Sequence, residues 1–455
     1  MSIPDTPSIN DLLAIIAELQ PEVAALRVRV SELEAENERL RKMVSGQGPP
    51  KPPALSDLPH FVKPNRPKQP KDKTHRRQRD CGYSRPLSEP TRTEEHALER
   101  CPDCGHKLSG GWLHDEREVI DIPPIAVEVV RHCFIARRCG VCGKRHLPKR
   151  AEALSGLTVG RHRFGVRLIS LIAELVNVCR MPVRTVKRLL ASLFGIHISA
   201  GGIVSLLAAV AKSGKRMYSE LQEAVRGSPF VHADETGWQE DGMNGYLWSF
   251  STPDMRLFVR SPSRAHTVPE GVLGSEYRGI VVSDFYSAYG YHLGLHQRCW
   301  VHLLRDLKRV QETFPNDPSV QEWAKEVHAL YTDATSVCHL RRKDRMRARE
   351  GFQERALDLA LPYRKTDHPQ AALAERLYRF ASELFTFVEH PQVPPDNNAA
   401  ERAIRPAVVA RKVSGGTRST NGSQVRATLM SLFSTWDARG LDTWRACQQM
   451  LAQNA

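Results

Sequence analysis

The chain has 455 residues, more than one hydrophobic core usually covers, so two or more domains joined by linkers are expected. Its 65 Lys and Arg outweigh 51 Asp and Glu to give a formal net charge of +14, which favours a polyanionic partner, nucleic acid above all. No run approaches a membrane span, the N-terminus lacks the flank and apolar core of a signal peptide, and ten cysteines in so long a chain are no disulfide framework. The expectation is a soluble, intracellular protein.

Leucines recur every seven residues at Leu12, Leu19, Leu26, Leu33 and Leu40, with Ile16, Val23, Val30, Asn37 and Val44 four positions after each. β-Branched residues at a, leucine at d and one polar a-position favour a parallel two-stranded coiled coil over residues 1–45, hence a homodimer or larger assembly. Pro21 interrupts the pattern, so residues 12 to 19 read as a separate helical piece. The plainer alternative is an amphipathic helix packed on its own chain. Residues 46–92 are proline-rich and basic, a tether with too few apolar groups to offset its ordering entropy. Lys68, Lys71, Lys73, Arg76 and Arg77 lie in its densest stretch and suit phosphate contacts; a plain soluble linker is the alternative.

Over residues 93–150, Cys101-Pro-Asp-Cys104-Gly and Cys139-Gly-Val-Cys142-Gly are two zinc-knuckle halves, each followed by a turn glycine. Four thiolates on a hairpin scaffold make a structural zinc ribbon with no open position for chemistry. That closed set also argues against a zinc hydrolase. His106, Cys133 or His146 is an alternative fourth ligand. Between the pairs, Val119, Asp121 and the run Val127 to Arg137 read as strands.

Residues 151–215 switch to helical periodicity. The spacing predicts a helix from Pro182 to Phe194 that stops at Gly195, and a second one capped by Ser199 and running to Val210. A helix-turn-helix and a merely packed helical hairpin fit equally, because the second helix shows few base-reading side chains.

From Phe230 the pattern becomes β-rich, with strands expected at Pro229 to Ala233, Tyr246 to Ser251, Met255 to Arg260, Gly279 to Ser283 and His296 to Cys299, and Asp241-Gly242 in the first turn. The expected architecture for residues 216–412 is a mixed sheet flanked by helices, an α/β layer interrupted by an all-helical insertion at about 303–390. A polar loop and helix, residues 413–455, would close the chain.

Three acids stand out. Asp234 and Asp284 each follow a short apolar run, where a buried strand hands its last residue to a loop, and Glu401 sits a turn inside a helix that Asp396 or Asn397 can cap. Such carboxylates suit a pair of hard cations, Mg²⁺ or Mn²⁺, in phosphodiester chemistry. Glu235 competes with Asp234 but points to the other face of the strand, and Glu240 falls in a turn.

His232-Ala-Asp234-Glu-Thr-Gly-Trp238, Ser283-Asp284-Phe-Tyr-Ser-Ala-Tyr289, Cys299-Trp-Val-His302 and Asn397-Asn-Ala-Ala-Glu401-Arg-Ala-Ile-Arg-Pro406 resemble the motifs of the insertion-sequence-66 family of bacterial transposases, and the order of modules is similar. The resemblance implies a ribonuclease-H-like core with a DDE triad, in which Asp234, Asp284 and Glu401 are the metal ligands. It implies hydrolysis at the element's ends and strand transfer into target DNA, a nucleoid-associated cytoplasmic location, and a possible need for accessory proteins. Cys299 and His302 resemble a Cys-x-x-His motif and read as structural, since they are poor Mg²⁺ ligands. The chain departs from the family at Arg411 to Thr420, which is polar and glycine-rich instead of aromatic, although Arg402, Arg405, Arg411 and Lys412 still suit phosphate. The competing reading is a catalytically inactive DNA-binding regulator on the same scaffold.

Overall fold

A computed structural model of the chain describes residues 88–453, apart from positions 124 and 161, and a few helical positions between 20 and 35. The chain divides at Gly82 and the two parts are described separately. In the first part, residues 27–32 are helical and exposed; the heptad leucines and the cations Lys68, Lys71, Lys73, Arg76 and Arg77 lie outside the described residues.

The cysteine segment holds two short strands, β1 (Arg137–Arg138) and β2 (Arg145–His146), paired antiparallel. The longer strands expected at Val119, Asp121 and Val127 to Arg137 are otherwise absent. Alternation forms a strand only where one face is buried, and here Val119 is 81% and Val129 88% exposed.

Five helices follow: α1 (Arg150–Ala153), α2 (Val166–Asn177), α3 (Val183–Phe194), α4 (Ala200–Ser213) and α5 (Lys215–Arg226). α3 ends as expected where Gly195 adopts φ 63°, and Ser199 caps α4 by accepting the Gly202 N–H at 3.0 Å. Ile203, Leu206 and Val210 of α4 share a cluster with Ile169, Ile172 and Leu190, and with Phe433 and Leu451 from the far end of the chain. α4 shows solvent Gly201, Val204 and Ser205, whereas α3 shows Arg184, Lys187 and Arg188.

The sheet contains β3 (Phe230–Glu240), β4 (Met243–Ser251), β5 (Arg256–Ser261), β6 (Ile280–Ser283) and β7 (His296–Arg298), in the order β5-β4-β3-β6-β7. β3, β4 and β5 are antiparallel; β3–β6 and β6–β7 are parallel. Helix α6 (Thr267–Leu273) joins β5 to β6. One face packs Val231, Ala233, Trp248, Phe250 and Leu257 with α5 and α6; the other turns Trp238, Leu247 and Phe258 to later helices. The two sets alternate along each strand, as a pleat requires. β3 runs seven residues beyond the expected end at Ala233, so Asp234 lies within the strand, not at its end. The extension is a hairpin arm in which Asp234 through Glu240 pair with Ser249 back to Met243, around Asp241 and Gly242 at φ 50° and 78°.

β7 leads into a wholly helical stretch: α7 (Trp300–Thr313), α8 (Pro318–Ser336), α9 (Arg342–Ala360), α10 (Ala371–Arg379), α11 (Ala381–Leu384) and α12 (Thr386–Glu389). These share a core of their own around Trp300, Trp323, Phe352 and Phe385. Then come α13 (Asn398–Ser414), α14 (Thr420–Ala438) and α15 (Thr443–Gln453). Among the described residues, no helix is long and apolar enough to cross a membrane.

Both sheet edges are covered. At β5, Ser431 and Thr435, one turn apart on α14, accept the Phe258 and Arg256 N–H groups at 2.8 and 3.0 Å. At β7, Thr386 Oγ1 donates to the His296 carbonyl at 2.5 Å, while the Gln297 side chain donates to the Leu384 carbonyl at 3.0 Å and accepts the Phe387 N–H at 2.8 Å. The edge backbone groups of Arg256, Phe258 and His296 are thereby satisfied and not offered to another strand.

The glycine-rich stretch after α13 docks on the β3 arm. Thr417 N–H donates to Gln239 O at 2.9 Å, Asp241 N–H donates to Thr417 O at 2.8 Å, and the Trp238 indole donates to Thr417 Oγ1 at 3.0 Å. Gly416, at φ 106°, lies so close to the Gln239 carbonyl that a Cβ has no room. Gly416→Ala is therefore expected to lower stability by about 2 kcal/mol or more in urea unfolding, and an unchanged midpoint would show that this contact yields freely.

Candidate active site

Asp234 and Asp284 are brought level by the parallel register. β3 pairs with β6 from Phe230↔Ile280 to His232↔Val282, and continuing that register two residues sets Asp234 beside Asp284, where β6 has just ended. Even-numbered β3 residues face α13: Trp238 packs with Ile404, Ala407 and Ala410 of that helix. Glu401 lies one turn before Ile404, so the helix delivers it to the side of the sheet that carries Asp234.

The start of α13 is fixed by two neighbouring side chains with different tasks. Asp396 accepts the Asn398 N–H at 2.9 Å and so caps the helix. Asn397, 1% exposed, is turned inward instead. Its Nδ2 donates to Ala233 O at 2.8 Å, its Oδ1 lies 3.0 Å from His232 Nδ1, and its N–H donates to Cys299 Sγ at 3.1 Å. With Nδ2 used as donor, Oδ1 accepts, so His232 carries its proton on Nδ1. Burial holds the His232 pKa below its usual value and keeps the ring neutral.

Asp284 is held by its backbone. Its carbonyl accepts from Arg298 Nη1 at 2.8 Å and from Ser283 Oγ at 3.0 Å, while its Oδ1 accepts the Tyr286 N–H at 2.9 Å. Arg298 is itself fixed by Glu383 of α11 at 2.6 Å, and Phe285 packs into the core of the helical insertion. Glu235 occupies the opposite face from Asp234, as expected, with Tyr289 Oη donating to it at 2.6 Å and Arg264 at 2.7 Å. Glu240 ends β3, paired with Arg260 and hydrogen-bonded by Thr420 and Ser423 of α14.

Two side chains of α7 approach Glu401: His302 Nε2 at 3.6 Å and Arg305 Nη2 at 3.8 Å. Sequence reasoning treated His302 as structural and overlooked Arg305. The available signal was the i, i+3 spacing from Cys299 at the helix cap, which puts 302 and 305 along the side that Cys299 anchors. Farther along α13, Arg402, Arg405 and Lys412 are exposed, whereas Arg411 is engaged with the Gly237 carbonyl at 2.6 Å and Thr236 Oγ1 at 3.3 Å.

The electrostatics show that the acids share one region. Burial, and then the charges of Glu235, Asp284 and Glu401, push the Asp234 pKa up to about 7. Glu401 Oε1 is buried without a hydrogen-bond partner. A set of carboxylate oxygens in excess of available donors fits hard divalent cations. Among the described residues, no three His, Cys, Asp or Glu side chains are drawn closely enough together to enclose one ion.

The cysteine pairs are folded as two separate knuckles. Gly105 N–H donates to Cys101 O at 2.9 Å and Gly143 N–H to Cys139 O at 3.0 Å. Backbone N–H groups of Cys104 and Asp103 lower the Cys101 pKa, and those of Cys142 and Val141 lower the Cys139 pKa. The knuckles are not gathered into the expected four-thiolate set among the described residues.

A mixed five-stranded sheet with helices on both faces, and acids from two adjacent strands and a facing helix on one side, is consistent with the ribonuclease-H-like class of α/β cores. The family model described as Transposase IS66 family matches residues 161–425, more than half of the chain, and the chain belongs to that family. It is similar to two uncharacterized proteins of Sinorhizobium fredii. It shares 32% identity with y4jO over 178 residues, covering 38% of this chain and 52% of that protein, so it spans about half of that relative's length. With y4jD it shares 23% identity over 393 residues, covering 77% of this chain and 73% of the other. Family membership supports a role in transposition.

The raised Asp234 pKa has a definite sign for stability. The folded state holds that proton more tightly than the unfolded chain, so the contribution is complete below the ordinary value of 3.8 and is lost as pH rises through about 7. Asp234→Asn removes this loss. In metal-free urea unfolding the variant should exceed wild type by about 1–3 kcal/mol at pH 8, with the gap narrowing toward pH 5. A gap that is absent at pH 8 would mean that Asp234 is not destabilised by its surroundings.

Proposed function

We propose that the chain is an active DNA transposase whose Asp234, Asp284 and Glu401 hold two Mg²⁺ or Mn²⁺ ions. The observation that carries this reading is the placement of Asp234 and Asp284 by adjacent parallel strands on the side of the sheet that the Glu401 helix covers, supported by the raised Asp234 pKa. When bound, the cations supply charge neutralisation at the phosphate and an activated nucleophile. The chain's own residues do the positioning. Asn397 sets the helix that presents Glu401, Arg298 fixes the Asp284 backbone, and Arg305 stands where a scissile phosphate would meet a positive charge.

The reaction is two displacements at phosphorus. Water attacks the phosphodiester at an element end, the P–O3′ bond breaks, and a 3′ hydroxyl and a 5′ phosphate result. That hydroxyl then attacks a target phosphodiester and releases a target 3′ hydroxyl, so one bond forms as another breaks and no energy-rich cofactor is needed. Arg402, Arg405 and Lys412 are proposed phosphate contacts on the exposed side of α13, and Lys68, Lys71, Lys73, Arg76 and Arg77 on the basic arm. Arg411 reaches DNA only if it leaves Gly237. Cys101, Cys104, Cys139 and Cys142 are proposed to close on one structural Zn²⁺, and the N-terminal heptad to pair two chains.

The test compares wild type, Asp284→Asn and Glu401→Gln on a labelled duplex carrying the element's ends, with Mg²⁺ or Mn²⁺. Wild type should nick and join, while each variant should bind equally and cut at least about a hundredfold more slowly. Cutting that survives both substitutions refutes the site; binding without cutting by wild type under every metal favours the inactive-regulator reading.

A further inference from the structure

Helix α9 and its cap carry cations for which the proposed site has no use. Arg341, Arg342, Lys343, Arg345, Arg347 and Arg349 fall within nine residues, and Asp344 is the acid in the first turn. Three of the six are engaged locally. Arg341 pairs with Asp344 at 3.4 Å, Arg345 donates to Leu340 O at 2.6 Å and Glu389 O at 3.3 Å, and Arg349 donates to Glu389 Oε2 at 2.6 Å. Arg342, Lys343 and Arg347 are exposed, and no hydrogen bond or ion pair among the described residues engages them.

Packing does not account for this run. The residues that α9 buries, Phe352, Ala356 and Ala360, lie in its second half; in its first two turns Arg345, Ala348 and Arg349 face the insertion, and the side that carries Arg342, Lys343 and Arg347 is left to solvent. The helix dipole is also unfavourable, because cations in a first turn face its positive end. Three cations are thus held where neither burial, pairing nor the dipole stabilises them, and a polyanion would compensate all of them.

We propose that Arg342, Lys343 and Arg347 form a ridge that docks the phosphate backbone of duplex DNA. The proposal rests on the DNA-processing reading above and adds to it a surface on the helical insertion. The ridge is braced toward the catalytic helix: Arg345 and Arg349 tie α9 to Glu389, the last residue of α12, from which the chain runs directly to Asn397 and α13. From residue 342 to 347 the helix rises about 7.5 Å. Duplex DNA carries a charge roughly every 1.7 Å along its axis, so several phosphates lie within reach of three long side chains. The residues form an open row, not a pocket, and contacts of that kind position DNA without reading sequence. Exposed Glu350, a turn beyond Arg347, marks where the ridge ends.

The experiment measures binding of the full-length protein to a random-sequence DNA duplex across a salt series. It compares wild type with the triple variant Arg342→Gln, Lys343→Gln, Arg347→Gln, and Asp284→Asn is assayed for cleavage in parallel. The plot of log affinity against log salt should become shallower by about 0.9 per lost contact, or roughly 2 to 3 in all, with no drop in melting temperature. An unchanged slope overturns the ridge, and a loss of cutting in Asp284→Asn alongside that result would leave the transposase reading intact. If wild type does not bind the duplex, both readings fall. Should the triple variant melt early, Arg342→Gln and Arg347→Gln taken singly must each flatten the slope by about 0.9, and no change in either refutes the proposal.

Discussion

Asn397 is the joint on which the candidate site depends. One buried residue bonds to the β3 backbone beside Asp234, to the neutral His232 ring, and to the Cys299 thiol at the start of α7. It thereby joins the strand that carries Asp234, the helix that carries Glu401 and the helix that carries His302 and Arg305. Such bonds in a dry interior are strong when complete, and losing one partner leaves a buried polar group unsatisfied. Asp396 makes this possible by capping α13, which frees the Asn397 amide for long-range contacts.

The helical insertion is built into the sheet. The Gln297 side chain of β7 satisfies the Leu384 carbonyl and the Phe387 N–H of the short helices α11 and α12, and Glu383 holds the Arg298 guanidinium against the Asp284 carbonyl. Phe285, the residue after Asp284, packs against Phe380 with ring centroids 5.3 Å apart and the rings tilted by 57°. A displacement of the insertion therefore moves the loop that carries Asp284, a candidate site acid. At the opposite edge, α14 covers β5 with the hydroxyls of Ser431 and Thr435, and its Ala427 and Met430 pack against Ile404 and Ala407 of α13.

The legible parts of the sequence were those where side-chain chemistry and backbone pattern agree. Gly195 and Ser199 marked helix ends because an αL residue and a capping hydroxyl have few other uses there. The β3 arm was missed because Asp234-Glu-Thr-Gly-Trp-Gln-Glu240 is mostly polar, and its strand character comes from pairing with β4, not from an apolar run. The converse error fell at Val119 to Ala136, where apolar alternation was visible but no described element covers either face. In the site, the acids were legible from their flanking motifs, whereas Arg305 was not, because its approach to Glu401 depends on how α7 lies against α13. The role of Asn397 was likewise hidden, since its partners lie far away in sequence at His232, Ala233 and Cys299.

The three acids run against the balance of the whole chain. A protein of net charge +14 places these acids on one half-buried side of its sheet, where Asp234 is driven toward its neutral form near pH 7. On the proposed reading a divalent cation must displace that proton, so occupancy of the site and pH are linked. On the same reading the surrounding cations work in the opposite sense and would draw phosphate toward carboxylates that otherwise repel it. Arg305 beside Glu401, the exposed arginines of α13 and the row on α9 lower the cost of bringing a polyanion to an acidic centre. On the proposed reading, the excess of positive charge and the half-buried acids are thus two halves of one requirement: the acids would select the cation, and the basic surface would let DNA reach them.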